Sequence, residues 1–133
     1  MYNLLKGKKG IILGALDSKS IAWKVAERAH EEGATFVLSN APVALRLGTI
    51  SELAAKTGSE VIAADATSIM DLEDLVDGAM KILGGKIDFV LHSIGMSVNV
   101  RRGNHYTHQD YNFTKTGFDV SALSFHRLMS VLY

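Results

Sequence analysis

Four short apolar runs, Ile11 to Leu13, Thr35 to Leu38, Val61 to Ala64 and Ile87 to Leu91, alternate with longer stretches whose apolar residues recur at helical spacing. The short runs read as strands buried on both faces, the pattern of a parallel sheet. In the first long stretch Ile21, Ala22, Val25, Ala26 and Ala29 share one face, while Lys24, Glu27, Arg28 and Glu31 take the other. Leu47, Ile50, Leu53 and Ala54 repeat this in a second helix, and Ile69, Leu72, Leu75, Val76, Ala79 and Leu83 in a third. Boundary residues agree. Ser20 opens the first helix and Gly33 follows it, Gly58 follows the second, Ser68 with Asp71 has the form of a capping box, and Gly84-Gly85 stops the third. Pro42, the only proline, falls after the second strand and shapes the start of the second helix without interrupting a ladder. A polar loop from Asn99 to Asn112 and a last helix from about Gly117 complete the expected elements.

This alternation predicts an α/β fold, a Rossmann-type doubly wound parallel sheet with right-handed crossovers and flanking helices. If the first and fourth strands are neighbours, the order is 3-2-1-4, and a crevice opens beyond their carboxyl ends where the chain leaves in opposite directions. Such a sheet has a second half, yet the sequence stops in a helix after the fourth strand, and "IDFVLHSIG" is a poor edge strand, apolar and unguarded by proline or lysine. Residues 1–133 are therefore expected to be the N-terminal half of a single dinucleotide-binding domain, truncated, with about half of the domain missing.

Composition narrows the partners. Lysine plus arginine and aspartate plus glutamate number 14 each, so no global field draws in nucleic acid or an anionic membrane, and any bound anion must be held locally. The absence of cysteine excludes disulfides, thiolate metal sites and cysteine nucleophiles, and no apolar run approaches the ~20 residues that span a bilayer. A cytoplasmic protein is the simplest expectation.

The loop Gly14 to Ser20 follows the first strand and matches neither common phosphate-binding pattern. Lys19-Ser20 sits where a P-loop would have it, but Leu13 and Ser18 replace both glycines, so the backbone amides cannot curl around a phosphate. The G-x-G-x-x-G fingerprint also fails, with Leu16 at the second glycine. What remains is a longer loop in which Gly14 makes the turn and Ser20 opens the helix. Ser20 is then either a helix cap alone, or a cap whose neighbouring amides meet a pyrophosphate. At the other lip of the crevice Gly95 permits close approach of a ligand and Ser93 offers a hydrogen bond. Asp65 falls on the same rim, as a turn-forming residue before Ser68 or as a partner for the adenine end of a cofactor.

With "GALDSKSIA", "AADATS" and "LHSIGMS" in this order and spacing, the whole chain resembles the enoyl-acyl carrier protein reductases of bacterial fatty acid synthesis, a divergent branch of the short-chain dehydrogenases. The resemblance explains the unusual loop, since that family replaces the glycine-rich fingerprint by G-x-x-x-x-x-S-I-A. It implies that Gly14, Leu16, Ser20 and Ile21 line the pyrophosphate and nicotinamide ribose, and that Asp65 and Ala66 hold the adenine. It likewise implies that Ser93, Ile94 and Gly95 border the adenosine ribose and nicotinamide, and that Met96 looks toward the substrate pocket. The implied reaction is hydride transfer from NADH to the β-carbon of a trans-2-enoyl thioester on acyl carrier protein, in a homotetramer. The implied enolate-stabilising tyrosine, with a lysine seven positions beyond it, has no counterpart here. Tyr2 and Lys9 share the spacing but precede the first strand, and Tyr106, Tyr111 and Tyr133 lack such a lysine. No catalytic residue is assigned to this chain, and it is expected to be inactive by itself. NAD is the implied cofactor, with Asn40 serving the ribose 2′-hydroxyl without charge. Arg46, near enough in sequence to meet a 2′-phosphate, keeps NADP open. Another short-chain dehydrogenase and a non-enzymatic nucleotide-binding module are the alternative functions.

The run "VRRGNHYTHQD", with Arg101, Arg102, His105 and His108, reads as a solvated loop; its two histidines lack a third partner for a metal. His92 reads as a hydrogen-bonded core histidine, and Trp23 and Met80 as packing residues.

Overall fold

The computed structural model describes residues 1–133. Four parallel strands, β1 (Lys9–Leu13), β2 (Thr35–Asn40), β3 (Val61–Ala63) and β4 (Phe89–His92), form one sheet in the order β3-β2-β1-β4. Helices α1 (Ile21–Glu31), α2 (Pro42–Leu47), α3 (Ile50–Thr57), α4 (Ile69–Leu83), α5 (Val98–Arg101), α6 (Tyr111–Phe118) and α7 (Ser124–Leu132) complete the chain. Alternation along β1 and β2 feeds two cores. Ile12, Phe36 and Leu38 pack with Ala22, Trp23, Ala26, Ile50 and Leu53 of α1 and α3 on one face. On the other, Ile11, Leu13 and Val37 pack with Leu72, Leu75, Val76 and Ala79 of α4 and Leu128 of α7. This is the expected 3-2-1-4 order, and it places the carboxyl ends of β1 and β4 side by side.

Several local expectations need correction. The fourth strand begins at Phe89; just before it Asp88 exchanges hydrogen bonds with Lys9, its amide donating to Lys9 O and its Oδ2 accepting from Lys9 N. Nor is β4 buried on both faces, since all four of its residues are half-buried at an open sheet edge. A groove of about 620 Å³ runs beside it, walled by Val76, Met80, Phe89, Val90, Phe125 and Met129. Met80 thus lines a groove wall at 39% exposure, whereas Trp23 is packed in the core as expected. The expected second helix is two, broken at Gly48 and Thr49. There Thr49 N donates to Leu16 O, and a Cβ on Gly48 would stand 2.3 Å from that oxygen. Only half of the capping box forms: Ser68 Oγ accepts from Asp71 N, while Asp71 Oδ2 turns to Asp65 N. The last helical region starts at Tyr111 rather than near Gly117, and its α-helical run is interrupted by a π-turn at Asp119–Leu123.

Charged residues tie the first layer together. Glu27 Oε1 accepts from Lys56 Nζ at 2.7 Å, linking α1 to α3, and from Trp23 Nε1 at 3.2 Å. Lys56, with Lys24 and Trp23 assisting, holds the Glu27 carboxyl down to about 2 from its ordinary 4.5. Glu32, buried at the end of α1, accepts from the amides of Leu4 and Tyr2, and those bonds, chiefly that from Leu4, also lower its pKa. A carboxylate with a lowered folded pKa stabilises the fold above its unfolded pKa and loses that contribution as pH falls toward the folded value. Urea midpoints of the parent chain are therefore expected to fall between about pH 5 and about pH 3, and those of Glu27→Gln to fall less. Equal slopes would show that the Glu27–Lys56 pair contributes nothing to the pH dependence.

Candidate functional site

The crevice is assembled by hydrogen bonds that prolong the ladders beyond the strands. Gly14 N donates to Ser39 O and Ser93 N to Leu13 O, so both first-loop and fourth-loop residues remain in register with the sheet. Gly14 has φ +106°, and a Cβ there would lie 1.9 Å from Ser93 O. Only glycine satisfies both the positive φ and the contact, and through it the two loops meet at the switch point. From Gly14 the rim continues through Asn40, whose Nδ2 donates to Ala15 O at 2.9 Å and whose Oδ1 accepts from Ala41 N at 2.8 Å. Ala64 N donates to Asn40 O, which brings Asp65 and buried Ala66 to the same edge.

Ser20 behaves differently from the expected helix cap. Its hydroxyl turns back into the loop, accepting from the amides of Leu16 and Asp17 at 3.0 and 3.1 Å and donating to Asp17 O. Asp17 Oδ1 accepts from Lys19 N, which closes the turn. With these bonds made, Ser20 occupies the cap position but forms no side-chain cap, and the first turn of α1 presents its amides uncapped beside the crevice. That is a positive helix end available to an anion. Ile21, at 75% exposure, and Leu16, at 37%, put apolar surface around it.

Asp65 is engaged as a turn former, its Oδ1 accepting from the amide and the hydroxyl of Thr67 at 2.9 and 2.7 Å. Across the crevice Ile94 packs into the core, Gly95 is exposed, and the space a Gly95 Cβ would take is open to within 4.0 Å of Ser121 Oγ. Gly95 is therefore not required by packing within the chain, and it leaves room for a group outside it. Met96 is half-buried, with its backbone held by Ser121. Arg46 lies exposed in the last turn of α2, outside every ion pair of the chain.

His92 is hydrogen-bonded as expected but half-buried on the edge strand rather than in the core, with Nε2 2.7 Å from Ser124 Oγ and its ring edge-on to Phe125. The supposed solvated loop has a buried organiser that sequence reading missed. Asn99, 1% exposed, donates to Asp110 O and Thr114 Oγ1 and accepts from Asp110 N and Asn104 Nδ2. Arg101, Arg102, His105 and His108 do remain exposed around it, with the Arg102 guanidinium over the Phe113 ring. Ser121 and Ser124 were also missed. Their serine-x-x-serine spacing is the only trace of them in the sequence. No three His, Asp or Glu side chains converge to hold a metal ion, and no helix is long and apolar enough to cross a membrane.

Comparison with known proteins gives this crevice its context. The sequence profile of the family described as Enoyl-(Acyl carrier protein) reductase matches residues 14–132. The Rhizobium meliloti protein named enoyl-[acyl-carrier-protein] reductase [NADH] 2 is 35% identical over 127 residues, covering 94% of this chain and 46% of the relative. Among solved structures, the FabI–NADH complex of Alistipes finegoldii superposes with a TM-score of 0.96 at 58% identity, covering 98% of this chain and 46% of that one. The NADH-dependent reductase of Aquifex aeolicus superposes at 0.86 with 27% identity, over 97% of this chain and 51% of its own. The chain spans about half the length of the curated relatives it matches. With its parallel 3-2-1-4 sheet, its Gly14–Ser93 switch point and a profile match over nearly its whole length, this chain belongs to the enoyl-acyl carrier protein reductase family.

Proposed function

We propose that this chain is the cofactor-binding, N-terminal half of the Rossmann-type domain of an NADH-dependent enoyl-acyl carrier protein reductase. The observation that carries the reading is the Gly14–Ser93 contact, which joins both crevice loops beside the uncapped start of α1. The residues present suit a dinucleotide. Gly14, Leu16, Ser20 and Ile21 surround the pyrophosphate and nicotinamide ribose, with the α1 amides donating to the diphosphate in place of a side-chain cap. Asp65 and Ala66 border the adenine; the turn bonds of Asp65 use Oδ1 and leave Oδ2 for a ligand. Asn40 keeps one amide hydrogen and one carbonyl lone pair for a ribose hydroxyl, and its lack of charge suits NADH, with Arg46 the residue that would admit the 2′-phosphate of NADPH. Ser93, Ile94 and Gly95 flank the adenosine ribose and the nicotinamide, and Met96 opens toward the substrate.

When bound, NADH supplies the hydride for the β-carbon of a trans-2-enoyl thioester carried on acyl carrier protein. This chain's part is to bind and orient: the loops fix the dinucleotide, and the half-buried Ile94 and Met96 keep water from one side of the site. The resemblance implies a tyrosine at the thioester oxygen and a lysine at the cofactor ribose, and no pair at their spacing lies beside this crevice, so no catalytic role is assigned to these residues. Homotetrameric assembly and a cytoplasmic location belong to the same reading. Titration of the purified chain with NADH is expected to show saturable binding by fluorescence, with no NADH oxidation on addition of an enoyl thioester. Absence of binding would defeat the cofactor assignment, and steady turnover by this chain alone would defeat its division of labour.

A further inference from the structure

Between α6 and α7 the Asp119–Leu123 π-turn diverts the Ser124 amide to the Asp119 carbonyl, five residues back. The Val120 carbonyl takes the Ser124 hydroxyl instead, at 2.6 Å. A hydroxyl has one proton to give, so Ser124 Oγ meets His92 as an acceptor and His92 donates from Nε2. One turn earlier, Ser121 Oγ accepts from Met96 N at 3.0 Å and donates to Met96 O at 3.2 Å. The three-residue spacing puts both serines on one helical face, and that face closes on the end of β4 and on the loop leaving it.

Packing of Ile94 aside, the backbone of that loop has few other hydrogen bonds. Ser93 N makes the last ladder bond, to Leu13 O, and neither Ile94 nor Gly95 forms a backbone hydrogen bond within the chain. Gly95 adds conformational freedom at the middle of the span. We propose that Ser121 is a positioning residue for the nicotinamide side of the dinucleotide site. Its two bonds to Met96 fix the far end of the Ser93–Met96 span, while the Ser124–His92 pair fixes the near end. The inference rests on the dinucleotide-binding reading above. Ser121 touches no reacting atom; it acts through the backbone that borders the ring.

The test compares NADH with ADP-ribose, which shares every part of the dinucleotide except the nicotinamide. In the 133-residue chain, Ser121→Ala is expected to weaken NADH binding about tenfold and ADP-ribose binding by less than about twofold, with Ser121→Thr restoring NADH affinity through its retained hydroxyl. Hydrogen exchange at the Met96 amide is expected to accelerate in Ser121→Ala and return toward the parent rate in Ser121→Thr. Equal weakening of both ligands, or unchanged NADH affinity despite faster exchange at Met96, would overturn the role assigned to Ser121. Failure of the parent chain to bind either ligand would overturn the dinucleotide reading and this inference with it.

Discussion

Gly14→Ala is expected to destabilise the chain by about 3 kcal/mol and to reduce NADH affinity by at least about tenfold. Two costs combine. At φ +106° an alanine is strained whatever the space around it, and its Cβ would meet the Ser93 carbonyl oxygen at 1.9 Å. That oxygen is backbone, so no rotamer change relieves the clash. Ser93 cannot retreat freely either, because its amide is bonded to Leu13 O at the end of the β1–β4 ladder. The strand ends must part, and the crevice widens where both loops would grip the cofactor. Gly58→Ala provides the control: Gly58 has φ +63° with no atom near its would-be Cβ, so it carries the conformational cost alone, about 1 kcal/mol. Urea midpoints for the two variants, with NADH affinities measured beside them, separate strain from collision. A Gly14→Ala chain no less stable than Gly58→Ala, and binding NADH as the parent does, would mean that the two loops do not depend on this contact.

Replacing Asn99 by alanine is expected to cost about 2–3 kcal/mol. The side chain is 1% exposed and makes four hydrogen bonds, two as donor and two as acceptor, so it is close to fully satisfied. Its loss removes the acceptor of the Asp110 amide and the buried partner of the Asn104 side chain and leaves a cavity where the Asn99 side chain was, while the Asp110 carbonyl keeps the amide and hydroxyl of Thr114. Asp110 also caps α6, its Oδ1 accepting from Phe113 N, so the damage passes from the loop to the helix leading into the π-turn. Faster exchange of the Asp110 and Asn104 amides is expected in Asn99→Ala, together with a lower urea midpoint. An unchanged midpoint would return the segment to the status of a solvated loop.

These residues also mark how far the sequence could be read. The strands, the helices and the parallel sense of the sheet follow from local physics: apolar runs too short for helices, amphipathic stretches between them, and glycines at Gly33, Gly58 and Gly84 with positive φ where α1, α3 and α4 end. The 3-2-1-4 order follows only once the first and fourth strands are neighbours, as they are. Gly14 and Ser93 could be assigned to opposite lips of one crevice because connectivity alone sends their loops there. The three motifs that carry the family resemblance each lie in consecutive residues, and their order and spacing needed no folding to recognise.

Tertiary structure decided how individual polar side chains are spent. Ser20 has a cap's sequence signature, yet its hydroxyl bonds back to Leu16 and Asp17, and the helix end it would have closed stays open. Asp71 has a capping-box position, yet its carboxylate is taken by Asp65 N. Asn99 and Ser124 sit in segments whose pattern gives no hint of burial, and that of Ser121 gives none of its bonds to Met96, because their partners are brought by the return of the chain after β4: α6 against α5 for Asn99, and the π-turn and α7 against β4 and its loop for the serines. Hydrophobic periodicity is a property of neighbours along the chain and is legible there. The partner of a hydrogen-bonding group is a property of neighbours in space, and among several acceptors of equal chemistry only the folded chain selects one.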